Sequence, residues 1–417
     1  MRTILVLLVV VVLALAANAQ SQQWTVADAV IAARDHHPTY IEAAAILDQA
    51  KGARRSSLSL DSPSFSVEFE GIPEGAGVNT YEERRLALFQ EIDFPLRYFW
   101  QIKKQNALVG AAEFQQQLLL MDLEREVRSA YLEAWFADER LAVLERYAAS
   151  LDTQALTFRQ MRDVGRIADL DVSRAEAEAA EVRSDLRISQ SDQSAARARL
   201  ENLTGYTTLP TKLANPLQSN WVPPIDGAVW ANNFDLLSAR KLADAADNDQ
   251  TLAATSWLPS LEIGGFRQHV PSAVEGSDYW GFEVGLSVPL WYLWGGIGEI
   301  EVATAQKRSA WASVGKRQLE LNTEWQESFA QLQAVRERLN TFEQVLIPTS
   351  ENVKRLALRS YQAGKASYLD VLEAQRSMLQ RQLGYLETTR DLESIHIALD
   401  QLAGKSIVAS NTEPMER

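Results

Sequence analysis

The sequence is 417 residues long, contains no cysteine and carries a formal charge of −14. Disulfides, thiolate-held metal sites and a lipid-modified N-terminal cysteine are therefore excluded. Acidic side chains outnumber basic ones by 55 to 41, which argues against a nucleic-acid partner, because phosphate binding needs clustered cations.

Residues 1–19 read as a secretory signal peptide. Arg2 gives a positive start, an apolar run extends from Ile4 to Ala16, and Ala17-Asn18-Ala19 puts small residues at the −3 and −1 positions of a cut after Ala19. The run of about thirteen residues falls short of the roughly twenty that a membrane helix needs. No later stretch is apolar for about eighteen residues in succession. A membrane crossing by the rest of the chain therefore has to be a closed β-barrel.

A first unit spans residues 22–209. A helix is expected from Val26 to about Ser57, followed by a β-hairpin over 63–95. Phe65, Val67 and Phe69 alternate with Ser66, Glu68 and Glu70. Leu86, Leu88, Ile92 and Phe94 alternate with Arg85, Ala87, Glu91 and Asp93, with a break at Phe89 and Gln90. The Gly-rich stretch 71–80 is the expected hairpin loop. A long helix follows. Val127, Ala130, Ala134, Ala137, Leu141, Leu144, Ala148, Leu151, Ala155 and Phe158 are spaced three and four in alternation, a heptad seam whose many alanines let helices approach closely. If wholly helical, residues 97–162 extend about 100 Å, a poor fit to a compact globule. The chain is expected to reverse at Gly165, since glycine tolerates the left-handed backbone that ends a helix.

A linker over 210–224 holds Pro210, Pro216, Pro223 and Pro224. The second unit, 225–407, repeats the order: a helix from Ala228 to about Thr255, a hairpin over 259–291, and two long helices meeting at Gly364. Phe282, Val284, Leu286, Val288 and Leu290 alternate with Glu283, Gly285 and Ser287, and residues 268–278 supply the loop. Trp280, Trp291, Tyr292 and Trp294 cluster at strand ends, as membrane-interface aromatics do. From the strands alone, an ordinary soluble sheet packed on helices stands as an equal alternative. A second seam runs through Leu332, Val335, Leu339, Phe342, Leu346, Thr349, Val353 and Leu356. Pro348 within it is expected to mark a kink or a helix restart. Residues 408–417 form a tail.

The two units read as copies. Gly165-Arg-Ile-Ala-Asp-Leu-Asp-Val172 answers Gly364-Lys-Ala-Ser-Tyr-Leu-Asp-Val371 at an offset of 199 residues (364 minus 165), and Pro63-Ser-Phe-Ser-Val67 resembles Pro259-Ser-Leu-Glu-Ile263. Four strands cannot close a barrel, which takes about eight. Open edges in lipid leave backbone groups unpaired. Identical neighbours related by cyclic symmetry are therefore expected to close both the sheet and the helix seams. No phosphate-cradling loop, nucleophile elbow or HExxH motif is present. Gly295-Gly-Ile-Gly298 lacks the rest of a dinucleotide fingerprint and is expected to turn the chain into a helix. His36 and His37 are adjacent and so point apart on a helix, and His269 and His396 stand alone, which suggests no metal site. We expect neither an enzyme nor a cofactor.

The segment Tyr361-Gln-Ala-Gly364-Lys-Ala-Ser-Tyr-Leu369-Asp370-Val-Leu372-Glu373-Ala374-Gln375 resembles the signature turn of the TolC-type outer-membrane efflux family, and residues 165–172 resemble its first-repeat counterpart. With the leader, the hairpins and the repeat, the resemblance covers nearly all of the mature chain. It implies an α+β membrane protein with an internal two-fold repeat: a trimeric twelve-stranded β-barrel, four strands per protomer, continuous with a long periplasmic α-helical barrel. It also implies a place in the cell outer membrane with a large periplasmic portion, in contact with lipid. The implied role is the passive exit duct of a tripartite efflux pump for small molecules or metal ions, docked to a periplasmic adaptor protein and an inner-membrane pump. The docking tips are Gly165, Arg166, Gly364 and Lys365. Asp370 and Glu373 share one helix face, and the resemblance places them as acidic rings that select cations at the pore entrance. Capping a helix start is the other role open to Asp370. Asp171 and Tyr361 match residues that hold the entrance shut in relatives. Ala366 and Leu170 stand where the best-known member has a gating arginine and its threonine partner, so one closing link is missing unless Lys365 substitutes. The exit channel of a type I protein secretion system shares the fold. A soluble periplasmic coiled-coil scaffold or adaptor is the alternative of another class, and an adaptor would carry one central hairpin between lipoyl-like and barrel domains.

Overall fold

The computed structural model describes residues 24–165, 167–217, 221–222, 232–271, 277–289 and 292–408. The expected signal peptide, Arg166, part of the proline linker, Trp291 and the tail beyond residue 408 lie outside the described residues, as do the side chains of Tyr292 and Trp294. Two compact units are present, each drawn from both halves of the sequence and so distinct from the two sequence repeats. One comprises the described residues up to Ile41 with Leu119–Asn233 and those from Leu321 on, and the other comprises Glu42–Leu118 and Phe234–Glu320.

The first helix, α1 (Val26–His36), starts at a Thr25 cap whose side chain and that of Asp28 bond each other's backbone N–H. It stops at His37, which is extended, and α2 (Pro38–Ser57) begins at the next residue. The single helix expected over Val26–Ser57 is thus two, because proline disfavours a helical conformation at the residue before it. The strands are β1 (Ser64–Glu70) and β2 (Glu83–Ile92). The long helices are α3 (Pro95–Asp163) and α4 (Asp169–Thr204), the latter ended by Gly205 at φ +73. Next come α5 (Phe234–Ala254), β3 (Ser260–Val270), β4 (Ser277–Ser287) and α6 (Tyr292–Thr341). A five-residue π-helical segment (Phe342–Leu346) leads into α7 (Ile347–Gln362), and α8 (Tyr368–Leu402) closes the order.

In the second unit the four strands form one antiparallel sheet, β1-β2-β3-β4, so β2 and β3 join the two halves of the sequence. The register places Phe65, Val67, Leu86, Leu88, Ile263, Phe282, Val284 and Leu286 on one face. That face is open: Trp280, Phe282, Val284 and Leu286 are 77, 78, 70 and 64% exposed. The other face carries Glu68, Glu70, Glu83, Arg85, Glu91, Glu262 and Glu283. There Arg85 pairs with Glu283 and lies 4.1 Å over the Phe266 ring, Gln268 donates to Glu83 at 2.6 Å and Ser260 donates to Glu91 at 2.6 Å. An ordinary soluble sheet buries its apolar face against helices, whereas this face is left uncovered among the described residues. The rhythm break at Phe89 also has a cause. Phe89 sits on the polar face directly opposite Gly264, where an added Cβ would fall 2.2 Å from its ring, and Phe266 covers Gly281 in the same way.

In the first unit, all ten residues of the seam on α3 are buried within one chain. Val127, Ala130 and Ala134 pack with Leu200, Leu203 and Ile397. Ala148 and Leu151 meet Ala179 and Val182, and Ala155 and Phe158 meet Val172, Ala175, Tyr368 and Val371. The expectation that this seam needs an identical neighbour is corrected: α4 and α8 of the same chain fill it. The second seam is closed only in part. Leu332 and Phe342 are buried, whereas Thr349, Val353 and Leu356 are exposed.

Two polar anchors hold this unit. The buried Tyr131 hydroxyl donates to the carbonyls of Trp24 (2.5 Å) and Ala214 (2.9 Å), and burial pushes its pKa up to about 12. Arg128 on α3 reaches Asp400 on α8 at 2.8 Å, and the Trp221 indole N–H donates to the same carboxylate at 2.9 Å. The expected kink near Pro348 takes the form of the π segment. Proline has no N–H for the carbonyl four residues back and its ring crowds that carbonyl, so the preceding turn widens and the Ile347 N–H bonds the Phe342 carbonyl, five residues back.

Candidate functional site

The two helix reversals in the first unit are built alike but finished differently. Gly165 and Gly364 have φ of +72 and +69, the left-handed region where L side chains strain. In the second reversal the Lys365 N–H bonds the Ser360 carbonyl at 2.8 Å, which satisfies a terminal acceptor of α7. Around either glycine an added Cβ meets nothing within 4 Å, so only the backbone demands glycine. Gly364→Ala should therefore destabilise the turn by about 1 kcal/mol, measured as a lower urea midpoint at unchanged slope. Gly364→Asn, which visits the left-handed region more readily, should lose less.

The second reversal enters α8 through a complete cap. Ser367 accepts from the Asp370 N–H at 3.4 Å, and Asp370 accepts from the Ser367 N–H at 2.7 Å and from its hydroxyl at 2.8 Å. Those bonds hold the Asp370 carboxyl below the usual carboxylate range. The cap is accordingly intact at neutral pH and lost only as pH falls through that lowered value. The first reversal has Ala168 at the equivalent place, which caps nothing, and Asp171 turns to Arg174 at 3.8 Å. Asp370 and Glu373 are both exposed. Asp370 thus has a capping role in a single chain, while the Glu373 carboxylate has no hydrogen bond or ion pair among the described residues.

Tyr361 packs against Phe158 and Tyr368, with ring centroids 5.9 and 6.1 Å apart. Burial, and then the nearby charge of Asp171, raise its pKa. No hydrogen bond joins Tyr361 to Asp171 among the described residues. Of the interface aromatics, Trp280 stands on the open apolar face near the β3–β4 loop, while Tyr292 and Trp294 begin α6 beyond the other end of β4. They therefore do not form one cluster.

The reading of the sequence missed a polar cluster above the reversals. Glu178 on α4 is only 4% exposed. The Arg376 Nε on α8 donates to its two oxygens at 2.9 and 2.8 Å, and Tyr147 on α3 donates at 3.2 Å. Burial, and then the Glu178 charge, raise the Tyr147 pKa. Tyr368 beside it, 1% exposed, has a hydroxyl without a hydrogen-bond partner among the described residues and a pKa pushed up by burial to about 12. The available signal was a charge inside an apolar stripe: Val172, Ala175, Glu178 and Val182 share one face of α4. Among the described residues no group of three His, Asp or Glu side chains is placed to hold a metal ion.

One unit carries a sheet with an open apolar face and the other a set of long, seam-packed helices. The structure superposes on VceC, an outer membrane protein of Vibrio cholerae, with a TM-score of 0.78 at 21% identity, covering 92% of this chain and 97% of that one. For CusC, a structure described in terms of transmembrane channel formation, the TM-score is 0.81 at 18% identity, covering 92% of each chain. In sequence, the chain is 23% identical over 315 residues to the cobalt-zinc-cadmium resistance protein CzcC of Cupriavidus metallidurans, covering 72% of this chain and 74% of that protein. Residues 228–405 match the family model described as Outer membrane efflux protein. Residues 228–405 thus form an outer membrane efflux protein domain.

Proposed function

We propose that the chain is one protomer of a trimeric outer-membrane exit duct, which serves a tripartite efflux system and carries out no chemistry on its cargo. The observation that carries this is the inverted sheet, apolar and exposed on one face, acidic on the other, with both β1 and β4 as unpaired edges. Lipid leaves edge N–H and C=O groups unsatisfied, so the edges need strands from another copy. Three copies supply twelve strands, enough for an aqueous lumen lined by the acidic face. The exposed lower seam on α7 likewise suits a neighbouring copy. The same element order in both halves supports the two-unit repeat. A soluble scaffold would need cover for Phe282, Val284 and Leu286, and no helix among the described residues supplies it.

In this reading the reversals around Gly165, Arg166, Gly364 and Lys365 form the periplasmic end and meet the adaptor protein, behind which stands an inner-membrane pump. Trp280 lies at one membrane interface, with Trp291, Tyr292 and Trp294 at the other. Asp171 and Tyr361, not bonded to each other among the described residues, are the pair that would link when the entrance is closed. Asp370 and Glu373 ring the entrance and favour cations. The cargo is small molecules or metal ions, and the name of the Cupriavidus relative favours metal cations. Residues 1–19 are removed on export, and no lipid is attached.

Detergent extraction followed by native mass measurement tests the assembly, and a stable monomer would exclude it. In planar bilayers, Asp370→Asn with Glu373→Gln should lower the cation-to-anion permeability ratio severalfold and relieve block by multivalent cations. An unchanged ratio would remove both residues from the pore lining.

A further inference from the structure

We propose that the outer rim of the sheet's apolar face binds a phosphate-bearing lipid headgroup, gripped by Arg84 and Arg267. The proposal rests on the membrane reading above and names the lipid chemistry that this face recognises.

The strand register puts charge at one end of a face that is otherwise uncharged. Residues directly opposite one another share a face. Phe69, Arg84, His269 and Asp278 form the last row before the hairpin loops, and Val67, Leu86, Arg267 and Trp280 form the next row on this face. Beyond them the same face carries Leu88, Gln90 and Ile92 on β2, Gly265, Ile263 and Leu261 on β3, and Phe282, Val284 and Leu286 on β4. None of these is charged. The uncharged end is the one tied to helices, since β2 leads into α3, β3 follows α5 and β4 leads into α6. With the helices in the periplasm, the charged row therefore stands at the outer leaflet. Arginine on a lipid-facing strand is tolerated at headgroup depth and costly at the midplane, so the row sits where it can meet headgroups.

The two arginines are held differently. Arg267 donates to one oxygen of Asp278 at 2.6 Å, and the His269 Nδ1 lies 2.8 Å from the other. That carboxylate is therefore already engaged. Arg84 has no hydrogen bond or ion pair among the described residues, and its Nε is buried without a partner. Its guanidinium lies 5.9 Å from the centre of the Tyr81 ring. Glu82 lies over Gly71, where an added Cβ would fall 2.7 Å from its carboxylate. Arg84 and Arg267 are diagonal neighbours across β2 and β3, with backbones about 7–8 Å apart. Long side chains at that spacing can converge on one phosphate, whose oxygens the planar guanidinium forks bond in pairs. Phe69 and Trp280 flank the arginines and are exposed, so their rings can pack on the acyl chains below a headgroup.

Neighbouring copies do not cover this rim. β2 and β3 are inner strands, paired on both sides within one chain. Copies that close the barrel join at β1 and β4, within the plane of the sheet, and leave the outward side chains of Arg84 and Arg267 free.

Native mass measurement of lipid bound to the intact assembly in detergent tests the proposal. The probes are diphosphorylated lipid A, the same lipid stripped of its phosphates, and inorganic phosphate. The phosphorylated lipid should bind more tightly than the stripped one, and millimolar inorganic phosphate should not displace it. Arg84→Gln with Arg267→Gln should weaken binding of the phosphorylated lipid about tenfold and leave the stripped lipid unaffected. Arg84→Gln alone serves should the double variant fail to assemble. Arg84→Lys, which keeps the charge without the fork, should lose less. Arg85→Gln, one residue on and facing the lumen, should bind as the parent does. Equal affinity of the parent for the two lipids, an equal loss in Arg85→Gln, or full displacement by inorganic phosphate overturns the proposal while the membrane reading stands. Uptake of neither lipid by the parent would sink the membrane reading itself.

Discussion

Arg128→Met is expected to destabilise the first unit by about 3–5 kcal/mol, the magnitude for removing one partner of a buried ion pair. Arg128 and Asp400 are 4% and 2% exposed and 2.8 Å apart. Without the guanidinium, Asp400 keeps, among the described residues, only the Trp221 indole N–H as a side-chain donor, too little to hold a carboxylate out of water. Trp221 itself stacks on His396 with centroids 4.2 Å apart. The loss should therefore spread to the chain around residue 221 and appear as faster proteolysis there as well as a lower unfolding midpoint. The double variant Arg128→Met, Asp400→Leu should recover most of the loss, because replacing both partners by apolar groups leaves nothing charged to desolvate. The exposed pair Arg199–Glu126, 63% and 48% exposed, is the contrast. Its removal should cost less than about 1 kcal/mol. A single-variant loss no larger than that of the surface pair would show that Asp400 is not isolated from water.

The second large effect is expected on the sheet. Val284 lies midway along the apolar stretch of β4, between Trp280 and Leu286, and is 70% exposed. Val284→Arg should cost about 2–4 kcal/mol per copy if that face meets the middle of a bilayer. A closed assembly repeats the cost in every copy, so membrane-assembled protein should fall sharply. Ser66 sits on the opposite, polar face of β1, and Ser66→Arg should assemble as the parent does. Quantifying protein extracted from outer membranes reads both. Equal assembly of the two variants would mean that the apolar face is covered by something other than lipid.

Much of this architecture follows from local chemistry. The glycines at 165 and 364 announce the reversals, because left-handed backbone is what a chain needs to leave one helix and enter the next. Alternation identifies the strands, since successive side chains on a strand point to opposite faces. The heptad spacing on α3 announces a packed helix, but spacing alone carries no address. It cannot distinguish a partner in the same chain from one in a neighbour, and α4 and α8 turned out to fill the seam. Pro38 signals that the first helix is interrupted at His37, because the residue before a proline is steered away from the helical region. The Ser367–Asp370 cap was open to reading from its spacing, and the structure completes it with both reciprocal bonds.

Other features lie beyond any sequence window. Arg128 and Asp400 are 272 positions apart, and Arg376 and Glu178 are 198 apart. Each is a charge on a mostly apolar stripe, and only the fold reveals the opposite charge that makes its burial tolerable. The sheet follows the same rule. A period of two sorts residues into two sets but does not say which set faces outward. The assembled strands resolve this by pairing the glutamates with Arg85, Gln268 and Ser260 on one side and leaving Phe282, Val284 and Leu286 uncovered on the other. Short-range rules are set by bonds and steric limits within a few residues. The destination of a face depends on what the rest of the chain brings against it.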